Sequence, residues 1–111
     1  MSAGDFDTRW LGSRVIVAMP AEVDVTNTDQ AREALLAVTR QRPAVLVINM
    51  GETTFCDSAG VQAIVAAYRQ AAGTPTELRL VATSVKRILS LVGIGELIPI
   101  HPTVEAALAA S

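Results

Sequence analysis

The sequence predicts a single α/β domain with a largely parallel or mixed sheet, and three observations carry that prediction. Short β-branched runs (RVIVAM, 14–19; AVLVIN, 44–49; LRLVA, 78–82) alternate with longer stretches of helical periodicity. The run AVLVIN is apolar nearly throughout, the signature of a strand covered on both faces, as in parallel sheets. At 111 residues and 50% hydrophobic, the chain is long enough for one well-filled core without staples.

Each element has its own local reason. RVIVAM ends at Pro20, and a weaker strand precedes it around Phe6 to Leu11. In VDVTNTDQAREALLAVTRQR, Asn27 is placed to cap a helix, with Gln30 in the reciprocal position of a capping box. Ala31, Ala34, Leu35 and Val38 follow at i, i+3, i+4, i+7, and Pro43 ends the pattern. Val61, Ile64, Val65 and Tyr68 form a second helical face, stopped at Gly73-Thr74-Pro75. After LRLVA, Thr83 or Ser84 is placed to cap a third helix, with Val85, Ile88, Leu89 and Val92 inward and Gly93 closing it. LIPI (97–100) reads as a short last strand and TVEAALAA (103–110) as a terminal helix.

Composition excludes several functions. Nine basic against eleven acidic residues give a net charge of −2, and the bases are scattered, unlike the basic face of a phosphate-backbone binder. Lys86-Arg87 reads as a solvated helix face. Cys56 is the only cysteine, so an internal disulfide and a cysteine metal cluster are both excluded, and a packed apolar role is expected of it. No run approaches the roughly 20 apolar residues that span a bilayer. MSAGDFDTRW carries acids where a secretory leader needs bases, and a cytoplasmic location is expected. Trp10, in a short first strand, is expected to cover an open end of the core.

The chemistry gathers at Phe55–Val61, FCDSAGV, where a strand passes into a helix. Loops converge at such seams and helix N-termini carry positive partial charge. Three readings of Ser58 compete. As part of a cap, Asp57 accepts backbone N–H bonds, Ser58 sits in the first turn, and Gly60 lets the backbone approach a neighbouring strand. As a hydrolase nucleophile, Ser58 would need the G-x-S-x-G elbow, but Cys56 occupies the first glycine position and His101 is the only histidine. As a phosphoacceptor, an exposed hydroxyl at a helix N-terminus is favourable, because free N–H groups and the dipole stabilise the anion.

The segment LVINMGETTFCDSAGVQAI resembles the signature of the STAS domain, the fold of bacterial anti-sigma factor antagonists. Phe55, Asp57, Ser58, Gly60 and Val61 match its F-x-D-S-x-G-[LIV] motif. AEVDVTNTDQARE is similar to the family's G-E-[LIV]-D-x-x-[TN] turn through Glu22, Val23 and Asp24, and ATSVKRILSLVGIGELIPIHPTVEAAL to its C-terminal half. The resemblance implies one domain over 1–111, with four to five strands and about four helices packed mainly on one face. It implies a binding protein, not an enzyme, with no cofactor of its own. The unphosphorylated form would bind an anti-sigma serine kinase of the histidine-kinase-like ATPase type and free the sigma factor. Phosphorylation of Ser58 would release the kinase, and a PP2C-type phosphatase would restore binding. Asp24, Thr54, Asp57, Gly60, Val61 and Gln62 would be exposed or close-approach positions around Ser58. The family also includes scaffolds of stress-signalling assemblies, transporter appendages and nucleotide binders. One departure stands out: Ala21 replaces the family's glycine before Glu-x-Asp, so that turn is expected to be shaped differently.

Overall fold

The computed structural model describes residues 6–110; residues 1–5, which begin the acidic N-terminus, lie outside them. The strands are β1 (Thr8–Leu11), β2 (Arg14–Ala18), β3 (Glu22–Val23), β4 (Val45–Met50), β5 (Phe55–Cys56), β6 (Glu77–Ala82) and β7 (Ile100–His101). The helices are α1 (Thr28–Thr39), α2 (Ser58–Ala71), α3 (Lys86–Leu91), α4 (Ile94–Leu97) and α5 (Val104–Ala109). Five strands form a mixed sheet in the order β1-β2-β4-β6-β7, with only β1 antiparallel to its neighbour. β3 and β5 pair separately as a short parallel ribbon.

Side-chain alternation explains the layering. Val15 and Val17, Leu46, Ile48 and Met50, and Leu78, Leu80 and Ala82 point to one face, where they form the main core with α1 to α4. Ile16, Val45, Val47 and Val81 point to the other face, which α5 covers through Ala107, Val104 and Leu108. Both faces of β4 are therefore buried, as its uninterrupted apolar run requires. Each fully buried Leu or Ile contributes about 1.5–3 kcal/mol of transfer free energy.

The second face holds one buried cation. Arg79, 5% exposed, donates from Nε to the Glu77 carboxylate at 3.0 Å and from Nη1 to the Ala107 carbonyl at 2.6 Å. Arg14 Nη1 donates to the Leu108 carbonyl at 3.3 Å. Two guanidinium groups thus meet carbonyls at the negative end of α5 and tie it to the sheet.

Several local expectations are corrected. On α2 the fully buried stripe is Gly60, Ala63, Ile64, Ala67 and Ala71, while Val61, Val65 and Tyr68 are only partly covered. The smallest side chains let α2 press closely on its neighbours, and the larger ones fill the flank. On α3, Val85 and Leu89 are buried, but Ile88 and Val92 are 47% and 55% exposed, because so short a helix presents a single turn to the core. Neither Thr83 nor Ser84 caps it; Val85 holds that position, and the Thr83 hydroxyl donates to the Gly51 carbonyl. Leu97 ends α4 instead of opening the last strand, which is only Ile100–His101. Trp10 lies on the edge strand, 39% exposed and outside both core clusters.

Candidate functional site around Ser58

β2 and β4 are neighbours, and their chains run on together beyond the sheet. Met19 N donates to the Asn49 carbonyl, the buried Thr53 hydroxyl to the Pro20 carbonyl, and Thr54 N to the Ala21 carbonyl. They then pair as β3 and β5, with Glu22 opposite Phe55 and Val23 opposite Cys56. Asp57 N donates to the Val23 carbonyl at 3.2 Å, so Asp24 and Asp57 leave the ribbon side by side. Ser58 begins α2 immediately beyond.

Asp57 is the cap. Its backbone is extended (φ −94°, ψ −173°), and its Oδ1 accepts from Gly60 N at 3.1 Å. Ser58 is exposed, and among the described residues its hydroxyl makes no hydrogen bond to the protein. No acid stands in the first turn of α2, leaving Asp57 to face the positive end of the helix. The cap and the free hydroxyl are thus separate residues.

Asp24 is held by its own loop. Its Oδ1 accepts from the Thr26 hydroxyl at 2.5 Å and from Thr26 N at 2.9 Å, and these two bonds, the hydroxyl first, hold its carboxyl below the usual carboxylate range. Asn27 does not cap α1. Its Oδ1 accepts from Asp24 N at 3.0 Å and its Nδ2 donates to the Glu22 carbonyl at 2.8 Å. Fixing the β3–α1 turn takes both ends of its amide, which leaves none for the helix. The Thr28 hydroxyl donates to the Ala59 carbonyl at 2.8 Å, bringing the start of α1 against the first turn of α2.

The turn at Ala21 needs no glycine, since Arg42 is the only non-glycine residue with positive φ among the described residues. Gly60 does need to be glycine. A Cβ there would lie 2.7 Å from Cys56 Sγ, 2.9 Å from Val23 Cγ1 and 3.2 Å from the Val23 carbonyl oxygen. The absent side chain is what lets α2 sit on the ribbon.

The other predicted positions divide by burial. Thr54 and Gln62 are exposed, Gly60 is buried, and Val61 turns partly into the core. Phe55 (50% exposed) and Val25 (74%) flank the site, and sequence reasoning missed both as surface. The exposure of Phe55 follows from the pairing itself: in a two-residue strand, burying Cys56 obliges its neighbour to face out. His101 does not join Ser58. It is paired with Val81, and the adjacent Ile100 packs with the α1–α4 core, so the imidazole faces the side that α5 covers. Its Nε2 is buried without a hydrogen-bond partner among the described residues. Among the described residues no three of His, Cys, Asp and Glu cluster as a metal site, and no helix is long and apolar enough to cross a membrane.

Cys56, beside the site, is buried, and its thiol is pushed up to about 11, first by burial and then by the Asp57 carboxylate. With an ordinary value near 9, the thiolate is favoured in the unfolded chain, so this group's contribution to stability is full below pH 9 and is lost as pH rises towards 11. We expect native Cys56 to react with iodoacetamide at pH 8 at least about 100-fold more slowly than in denaturant, the thiolate fraction alone supplying that factor. Comparable rates would mean that the thiol is open.

The fold and site define a small α/β domain that presents one unencumbered serine hydroxyl at the positive end of a helix. Residues 6–107 match the model of the STAS domain, and the chain belongs to that family. It is 30% identical over 105 residues to the anti-sigma-F factor antagonist RsfA of Mycobacterium tuberculosis, covering 89% of this chain and 80% of that protein. Its fold is similar to an anti-sigma factor antagonist from Mycobacterium paratuberculosis, with TM-score 0.86, 24% identity, and 93% and 89% of the two chains covered. It is similar also to the Bacillus cell fate determinant SpoIIAA in its phosphorylated form, with TM-score 0.67, 19% identity, and 93% and 96% covered.

Proposed function

We propose that this protein is an anti-sigma factor antagonist whose binding to an anti-sigma serine kinase is switched by phosphorylation of Ser58. The observation that carries this reading is the division of labour at the start of α2: Asp57 caps, and the exposed Ser58 hydroxyl has no protein partner among the described residues. The relatedness to an antagonist of an anti-sigma factor supports the partner class.

In this reading the unphosphorylated protein docks its Ser58 end on the kinase, and the sigma factor is released. Asp24, Thr54, Asp57, Val61 and Gln62 surround the acceptor, and Gly60 sets the distance between ribbon and helix. The kinase, of the histidine-kinase-like ATPase type, supplies ATP, metal and base. Ser58 Oγ attacks the γ-phosphorus, the bond from phosphorus to the ADP oxygen breaks, and the hydroxyl proton passes to the kinase's base. The phosphoserine brings about −1.5 to −2 charge beside Asp57 and Asp24. The kinase surface then meets a desolvated dianion among like charges and lets go. A PP2C-type phosphatase hydrolyses the ester and restores the binding form.

Incubation with the cognate kinase and ATP is expected to add one phosphate, located at Ser58 by mass spectrometry, and none to Ser58→Ala. Phosphate found on another residue, or accepted by Ser58→Ala, would overturn the mechanism.

A further inference from the structure

β1 is an edge strand, and its side of the main core is left open. Thr8 and Trp10 are in register with Val17 and Val15 and so face the helical layer, yet among the described residues both stay exposed. Between β1 and the flank of α1 runs a groove of about 880 Å³. Its lining is apolar at Phe6, Trp10, Ala34 and Val38 and carries the carboxylates of Asp29 and Glu33 on α1, whereas Asp7 alternates to the other face of β1 beside Arg9. Among the described residues, none of those lining it is basic. Arg32 offsets Asp29 in part, its Nη2 3.6 Å from Asp29 Oδ1 with both side chains half or more exposed. An ion pair so exposed neutralises little.

We propose that this groove is a second docking surface, separate from Ser58, for a cationic amphipathic segment of a partner protein. Charge decides the occupant. The two carboxylates of Asp29 and Glu33 beside an aromatic side chain repel nucleic-acid phosphates and anionic lipid headgroups alike. They attract Lys or Arg flanking an apolar residue, and Trp10 offers an indole face for a cation. The outer edge of β1, unpaired among the described residues, can pair with an added extended segment. A second copy of this chain brings an equally acidic groove to the contact, which disfavours self-pairing there.

Trp10 is the only tryptophan, so its emission reports on the groove alone. The full-length protein is titrated with an amphipathic Lys/Leu peptide and with its Glu/Leu counterpart. The Lys/Leu peptide is expected to shift Trp10 emission to the blue, with affinity falling as salt shortens the Debye length from about 8 Å to about 3 Å. The double variant Asp29→Lys/Glu33→Lys is expected to weaken binding by about tenfold or more, since it turns two attractions into repulsions. Glu96→Lys, which changes net charge away from the groove, leaves binding unchanged, and so does Ser58→Asp. Thermal melts accompany each variant, and the milder Glu33→Gln replaces the double variant if that fails to fold, with a smaller loss in the same direction. The proposal is overturned if Trp10 emission does not move, if the Glu/Leu peptide binds as well, or if Glu96→Lys costs as much as the groove variants. It is equally overturned if sedimentation shows that a second copy fills the groove without peptide.

Discussion

Ser58→Asp is expected to lower affinity for the cognate anti-sigma kinase by on the order of 100-fold, while Ser58→Ala stays within about threefold of the parent. The asymmetry follows from geometry. The hydroxyl has no protein partner among the described residues, so its loss removes no intramolecular bond and leaves the Asp57 cap on Gly60 N intact. A carboxylate at the same position adds a charge next to Asp57 and across the ribbon from Asp24, whose own carboxyl is held ionised by Thr26. In the proposed kinase interface that charge would be desolvated among like charges, a situation that costs several kcal/mol. The asymmetry also separates charge from shape, because both replacements remove the hydroxyl. Isothermal titration of the two variants against the kinase decides the point. Equal affinities would show that the switch does not work through charge.

The cap at Asp57 and the free hydroxyl at Ser58 were legible in the sequence because they are local. Asp57, Ser58 and Gly60 lie within one helical turn, and a cap followed by a free hydroxyl needs no distant contact to define it. The three core strands were legible for a similar reason, since full burial on both faces leaves an uninterrupted apolar run. What escaped depends on pairing across the chain. Two-residue strands carry no periodicity, so the β3–β5 ribbon could not be seen, although it sets Asp24 beside Asp57. Asn27 reads as a cap from its neighbours alone, but the ribbon's turn claims its amide. Leu97 looks like strand in LIPI, yet the Gly93 turn (φ 89°) starts a helical turn that absorbs it. The face chosen by α5 is likewise tertiary, fixed by Arg79 and Arg14 reaching its last carbonyls.

Gly60→Ala tests whether that ribbon matters to the switch. In an ordinary helix the replacement stabilises by up to about 1 kcal/mol. Here the new methyl overlaps Cys56 Sγ and Val23 Cγ1 and crowds the Val23 carbonyl, on residues whose backbones the β3–β5 pairing holds. Overpacking of this kind costs about 1–3 kcal/mol, so a net loss of about 1–2 kcal/mol is expected. In a domain of this size that lowers the melting temperature by roughly 5–10 °C. Moving β3 away from α2 relieves the crowding at the Val23 carbonyl and carries Asp24 away from Ser58, while the Asp57 cap remains. Phosphorylation by the kinase should therefore slow in Gly60→Ala even at temperatures where the variant is fully folded. A melting temperature raised above the parent's would show that the helix does not need this close approach. Normal phosphorylation in a variant with the expected loss of stability would show that the ribbon holds the fold but does not shape the acceptor.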